Sequence, residues 1–126
     1  MLIAIRETGI GLSADGRARA IDRIERALAS VREHVRKVMV YLTDLNGPRG
    51  GVDKLCRVAV TLDTGRPVVV VTSGESVSGV VDGAADKAGE VVHQEVHRRC
   101  DRRRTNRLVR ALKELKRVFG RNGGTP

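Results

Sequence analysis

Residues 55–72 run Leu55-Cys56-Arg57-Val58-Ala59-Val60-Thr61-Leu62-Asp63-Thr64-Gly65-Arg66-Pro67-Val68-Val69-Val70-Val71-Thr72, and their pattern decides the fold. Cys56, Val58, Val60 and Leu62 alternate with Leu55, Arg57, Ala59 and Thr61, which is the two-residue period of a strand. Asp63-Thr64-Gly65-Arg66-Pro67 has the length and composition of a hairpin turn. The valine run after it reads as a second strand, antiparallel to the first. Cys56 shares a face with Val58 and Val60, so it reads as a small buried hydrophobe.

Upstream, Val38, Val40 and Leu42 alternate with Met39, Tyr41 and Thr43, giving another strand. Between the two lies Asn46-Gly47-Pro48-Arg49-Gly50-Gly51-Val52-Asp53-Lys54, the most loop-like stretch of the body. Its glycines could expose backbone N–H groups to a phosphate, with Arg49 and Lys54 adding charge; an ordinary hairpin loop is the equal alternative. Without Gly-Lys-Ser/Thr it is no nucleotide-binding loop. Ile21, Ile24, Leu28, Val31 and Val35 recur at helical spacing, predicting a helix from 14 to about 34 with Ser13 as its N-cap and Asp15 in its first turn. Its other face carries Arg19, Arg23, Arg26 and Glu33. Met1 to Thr8 reads as a short strand, and Gly9-Ile10-Gly11-Leu12 as the turn after it.

Downstream, Ser76 is a second N-cap candidate. Val77, Val80, Val81, Ala84, Ala88, Val91, Val92, Val96 and Cys100 form a long helical stripe. Gly79, Gly83 and Gly89 within it each cost up to ~1 kcal/mol against Ala and suit close packing. The stripe weakens from Arg102 and resumes at Leu108, Leu112, Leu115, Val118 and Phe119; Gly120 reads as a stop and Arg121 to Pro126 as a disordered tail. The expected fold is α+β, with the order β-α-β-β-β-α. It is a four-stranded sheet carrying two long helices on one face, plus a basic C-terminal helix. The first crossover is expected to be right-handed, with parallel strands.

The 126 residues suit one domain, and 40% apolar with 31% charged residues is a globular mixture. No apolar run approaches the roughly 20 residues of a membrane span, and Met1 to Arg6 lacks the order of a signal peptide. Two cysteines make no disulfide framework, so the expectation is a cytoplasmic protein. Met1 to His97 holds thirteen basic and thirteen acidic residues; Arg98 to Pro126 holds eleven basic and two acidic, which is the whole net charge of +9. A neutral body with a cationic end points to a polyanion, RNA before an anionic membrane. Tyr41 and Phe119 are the only aromatics, too few for a base-stacking platform, so binding would work through phosphate charge and shape.

The element order, with Gly74-Glu75-Ser76-Val77-Ser78-Gly79-Val80-Val81-Asp82-Gly83-Ala84-Ala85-Asp86-Lys87, resembles the ribosome hibernation-promoting factor family, also called ribosome-associated inhibitor A or ribosomal subunit interface proteins. Val81-Asp82 and Asp86-Lys87 fit that family's pattern, and Ser76 replaces its capping Asp. The resemblance covers residues 1–104, leaving 105–126 as a basic C-terminal helix and tail. It implies a fold akin to the double-stranded-RNA-binding domain with an added first strand. It also implies binding to the small ribosomal subunit, in the channel used by mRNA and tRNA anticodons, and silencing of idle ribosomes. Lys87 is the clearest positional match; Arg98 and Arg99 fall at a usually lysine-rich helix end, and Arg19, Arg23 and Arg26 lie in the matching region of the first helix. Ser78 and Gly79 depart from the family's aromatic and Ala, Glu90 and Glu95 stand where the helix is usually more basic, and the Asn46–Lys54 loop is longer. No dimerisation domain of the long members follows in this sequence.

The densest cation cluster is Arg98, Arg99, Arg102, Arg103 and Arg104, continuing through Arg107, Arg110, Lys113, Lys116 and Arg117. Guanidinium forks pair with phosphate, whereas the bland alternative is a solvated tail. His93, His97 and Cys100, at i, i+4 and i+7, could present three zinc ligands. Cys100 also continues the apolar stripe, and the Glu of His93-Gln94-Glu95-Val96-His97 is misplaced for a zinc protease, so a pH-dependent charge near RNA is the better reading. Asp82 and Asp86 read as a solvated face or as partners of Arg and Lys. With no catalytic constellation, the expectation is a non-enzymatic, ribosome-associated translation inhibitor that needs no cofactor, metal, membrane or small-molecule substrate; self-association is left open. The second reading is a general RNA-binding or RNA-chaperone module.

Overall fold

The computed structural model describes residues 1–45 and 53–123, with side chains as far as Lys116. Seven elements follow in order: β1 (Leu2–Thr8), α1 (Ala14–Ala27), a 3-10 helix (Ala29–His34), β2 (Val35–Asp44), β3 (Lys54–Leu62), β4 (Val68–Gly74) and α2 (Val77–Gly123). The strands form one sheet in the order β1-β2-β3-β4, with β1 parallel to β2 and the other neighbours antiparallel. The expected α+β architecture is therefore present. The chain resolves into two compact units, Met1–Gln94 and Glu95–Pro126.

Register shows why one face of the sheet is the core. Ile5, Val40, Val58 and Val70 are partners across the four strands, and all four are buried. Neighbouring rows on that face are Ile3–Val38–Val60–Val68 and Glu7–Leu42–Cys56–Thr72. Burial of this branched aliphatic set removes apolar surface at about 25 cal/mol per Å². Cys56 is fully buried, as the alternation predicts. Val35 and Val38 are both buried although three residues apart, because the register with β3 slips between Val35 and Lys37. That bulge hides the start of β2 from a strict two-residue period.

Both helix starts are capped as the sequence suggests. Ser13 Oγ accepts the Gly16 N–H at 3.0 Å, and Ser76 Oγ accepts the Gly79 N–H at 3.1 Å. Ala20 and Ile24 from α1, Leu28 just after it, and Val80, Val81, Ala84, Ala85, Ala88 and Val92 from α2 complete the core. The Thr72 hydroxyl donates to the Val80 carbonyl at 2.8 Å, tying β4 to α2.

Three expectations need correction. Helix α1 ends at Ala27, and the rest of the predicted stretch tightens into the 3-10 helix, so Leu28 and Val31 stay buried without continuing the α-helix. The long second helix and the basic C-terminal helix are one uninterrupted helix. The weakened stripe at Arg102 to Asn106 contains no Pro or Gly, and helical hydrogen bonds close without an apolar face. Gly120 does not stop it either, because a single Gly costs only about 1 kcal/mol; Arg121 to Gly123 are helical, and 124–126 lie outside the described residues.

At Gly89 the backbone of α2 lies close to the end of α1. A Cβ built there would stand 2.9 Å from the Ala27 carbonyl oxygen and 3.4 Å from its Cβ. At Gly83 the nearest atom is a Thr72 methyl at 3.8 Å, an ordinary contact. Gly83→Ala should therefore raise the thermal midpoint by a few degrees through helix propensity of up to ~1 kcal/mol. Gly89→Ala should lower it, because a backbone carbonyl cannot step aside. Equal shifts in thermal melts of the two variants would contradict this packing.

Candidate nucleic-acid interface

In the first unit Arg17, Arg23, Arg26 and Lys54 have carboxylate partners. Arg17 reaches Glu7 Oε1 at 2.9 Å, while Glu7 Oε2 accepts the Leu12 N–H at 3.0 Å. Arg23 bridges α1 to α2, with Nε 3.5 Å from Asp82 Oδ1 and a close pair with Asp86. Asp82 and Asp86 thus take the second of the two roles the sequence allows them, as partners of a basic residue. Arg26 pairs with Asp22 one turn back, at 3.1 Å. Lys54 lies 3.3 Å from Asp53 Oδ1 and 3.9 Å from Asp44 Oδ2, and is only 20% exposed. Arg49 and the rest of its loop from 46 to 52 fall outside the described residues.

Two candidates of this unit stay open to solvent. Arg19 is exposed and lines a groove of about 360 Å³ with Leu12, Gly16, Ala20, Val77 and Val81. Ser78 lines the same groove, so the small residue noted at this position leaves space between the two helix starts. Lys87 is exposed on α2, with no ion pair among the described residues.

The second unit has the opposite balance. Glu95 is its internal anion: Oε1 accepts from Arg98 at 2.6 Å and from Arg99 at 2.8 Å, and Oε2 from Arg98 Nε at 3.1 Å. These bonds, Arg98 first and Arg99 second, bring the Glu95 carboxyl down from 4.5 to about 2. Arg102, Arg103 and Arg104 are exposed, with no hydrogen bond or ion pair among the described residues. Arg103, Asn106, Arg107 and Arg110, at i, i+3, i+4 and i+7, line a shallow groove of about 260 Å³ on one helix face. Such a row presents several guanidinium forks to successive phosphates.

The spacing that pairs Glu95 with Arg98 and Arg99 is legible in the sequence as i, i+3 and i, i+4, although the resemblance drew attention to Glu95 only as a departure. Asn106 and Arg110 belong with Arg103 by helical geometry; a run of basic residues taken as a block obscures that.

The metal alternative gains nothing. Cys100 is exposed, so it does not extend the apolar stripe, and among the described residues no group of three His, Cys, Asp or Glu could hold an ion. Burial pushes the Cys56 thiol up to about 11, which makes it a poor nucleophile. No described helix is long and apolar enough to cross a membrane.

No family model and no curated protein matches the chain by sequence. Solved structures do match. A ribosomal subunit interface protein from Coxiella burnetii superposes with a TM-score of 0.65 at 14% identity, covering 77% of this chain and 99% of that one. The N-terminal domain of Thermus thermophilus Protein Y superposes with a TM-score of 0.56 at 18% identity, covering 75% and 98%.

Because Glu95 is held ionised by two arginines, its stabilising contribution is complete above its ordinary 4.5 and disappears as pH falls towards about 2. A carboxyl titration by NMR should place the Glu95 midpoint near 2, and Arg98→Ala should return it most of the way to 4.5. A midpoint unmoved by that substitution would show that Arg98 is not the cause.

The resemblance read from residues 1–104 thus meets a structural counterpart: the chain has the fold of the ribosomal subunit interface protein and of the Protein Y N-terminal domain.

Proposed function

We propose that the protein is a ribosome-associated translation inhibitor that binds rRNA of the small subunit in the channel used by mRNA and tRNA. In this reading residues 1–104 form the ribosome-binding part, and the arginine-rich stretch of α2 supplies the affinity. One observation carries it: exposed guanidinium groups at Arg102, Arg103 and Arg104, without a carboxylate among the described residues, on a chain with the fold of a ribosomal subunit interface protein. Concentrated like charge is self-repulsive, and phosphate is the anion its forks fit. Arg98 and Arg99 join by exchanging Glu95 for phosphate. Of the first-unit candidates, Lys87 and Arg19 are exposed and without a carboxylate among the described residues. Arg23, Arg26 and Lys54 contribute less, being engaged with Asp82, Asp86, Asp22, Asp53 and Asp44.

A general RNA-binding module is the second reading, favoured by the scarcity of rings and by the reliance on charge alone. Competition separates the two. A channel binder is displaced from small subunits by mRNA with tRNA, whereas a general binder is displaced by any duplex RNA.

The protein should co-sediment with purified small subunits, and log affinity should fall with log salt at roughly −0.7 to −0.9 per phosphate contacted. Replacing Arg102, Arg103 and Arg104 together with Ala should abolish co-sedimentation at moderate salt while the thermal midpoint holds. Replacing Arg98 and Arg99 should weaken it less, because Glu95 already competes for them. Undiminished binding by the triple variant would remove the assignment.

A further inference from the structure

Within the first unit the helical residues cover one face of the sheet, and the other face is not the polar surface expected of an exposed side. Ala4, Met39, Ala59 and Val69 are register partners across all four strands on that open face. The next row is Arg6, Tyr41, Arg57 and Val71. Val69 is 47% exposed, Val71 44% and Leu2, at the β1 edge, 75%. Scattered exposed aliphatics need no explanation, but an in-register apolar row flanked by charge is a recognition pattern.

The charge on this face has one sign. Arg6, Lys37 and Arg57 point the same way as the apolar row, and no Asp or Glu occupies that face of any strand. Arg57 is held over the Tyr41 ring, its guanidinium carbon 5.5 Å from the centroid, so one cation is positioned in advance. We propose that this open face docks an acidic protein segment, with aliphatic side chains set on Met39, Ala59 and Val69 and carboxylates on Arg6, Lys37 and Arg57. Charge complementarity selects this occupant. A second copy in the same pose would oppose cation to cation. RNA would leave the methyl row against phosphate and sugar, and the single ring, Tyr41, is already covered by Arg57. The inference rests on the sheet and not on the ribosomal reading, so either can fail alone.

The test uses the full-length, isotope-labelled chain and a synthetic amphipathic peptide of leucine and glutamate. Backbone resonances of Met39, Ala59, Val69 and Val71 should shift on titration. The paired substitution Val69→Glu with Val71→Glu, on an edge strand and pointing to solvent, should weaken the peptide at least tenfold. Val69→Lys with Val71→Lys should bind it at least as well as the parent, which a merely structural loss would not allow. Should the glutamate pair disturb the fold, Arg57→Glu gives the same loss. Shifts confined to the arginines of α2, equal affinity in the glutamate and lysine pairs, equal shifts of this face by a single-stranded RNA, or self-association abolished by the glutamate pair would each overturn the proposal.

Discussion

The structure depends on a single requirement: one face of a four-stranded sheet has to be covered by two helices that pack closely against it. The row Ile5–Val40–Val58–Val70 is made of branched aliphatics with no polar alternative. Close cover is possible because Gly89 lets the Ala27 carbonyl approach to a distance that any side chain would prevent. Alanines at 84, 85 and 88 thin the same surface of α2. Small residues there serve packing density, in which a void or an overlap of one methyl is felt.

That requirement also sorts the charges. Once α1 and α2 lie side by side in the first unit, Arg23 can reach Asp82 and Asp86, and the pairing ties the helices together at their rim. Arg17 does the same between α1 and β1 through Glu7. Cations held this way lose rotamer freedom and are partly neutralised, so they are poor starting points for an external anion. The second unit offers its arginines fewer such partners, with only Glu95, Asp101 and Glu114 among its acids. The distinction between structural and available cations therefore follows from where the carboxylates stand, not from the number of arginines.

Much of this was legible in the sequence. Alternation placed two of the strands and the buried Cys56, a valine run after a turn placed a third, capping residues marked both helix starts, and the parallel β1–β2 pair followed from the first crossover. What escaped was non-local or not periodic. The bulge after Val35 breaks the two-residue rule, and the 3-10 turn after Ala27 preserves apolar spacing while changing the rise per residue. The continuity of α2 through Arg102 to Asn106 has no apolar signature, because an apolar stripe is the condition for a buried helix and not for a helix. At the candidate interface the arginine run was plain, and Arg26 with Asp22 stands at a legible i, i+4 spacing, but Arg23 and Lys54 could be separated from it only once α1, α2 and the β2–β3 ladder brought Asp82, Asp86 and Asp44 within reach. The apolar outer face of the sheet was equally hidden, since a half-apolar strand reads the same whether its second face is covered or bare.

The stretch from Arg98 to Lys116 poses the remaining energetic question. Arg99, Arg103 and Arg107 stack at four-residue intervals, and Arg107, Arg110, Lys113 and Lys116 follow at three. Each like-charge neighbour at such spacing costs an isolated helix about 0.2–0.5 kcal/mol. Leu108, Leu112 and Leu115 are exposed, so their burial does not offset that cost. Strong helix formers, Arg, Leu, Lys and Glu, and the Glu95 cap on Arg98 and Arg99 supply the opposing stability. A polyanion laid along the row would turn every repulsive pair into two attractive ones. By linkage, whatever the phosphates gain from a preformed row of forks, the helix gains in return. Affinity for a polyanion and order in this helix are then one free energy seen from two sides, and a substitution that adds a carboxylate within the row should stabilise the free helix while weakening the complex.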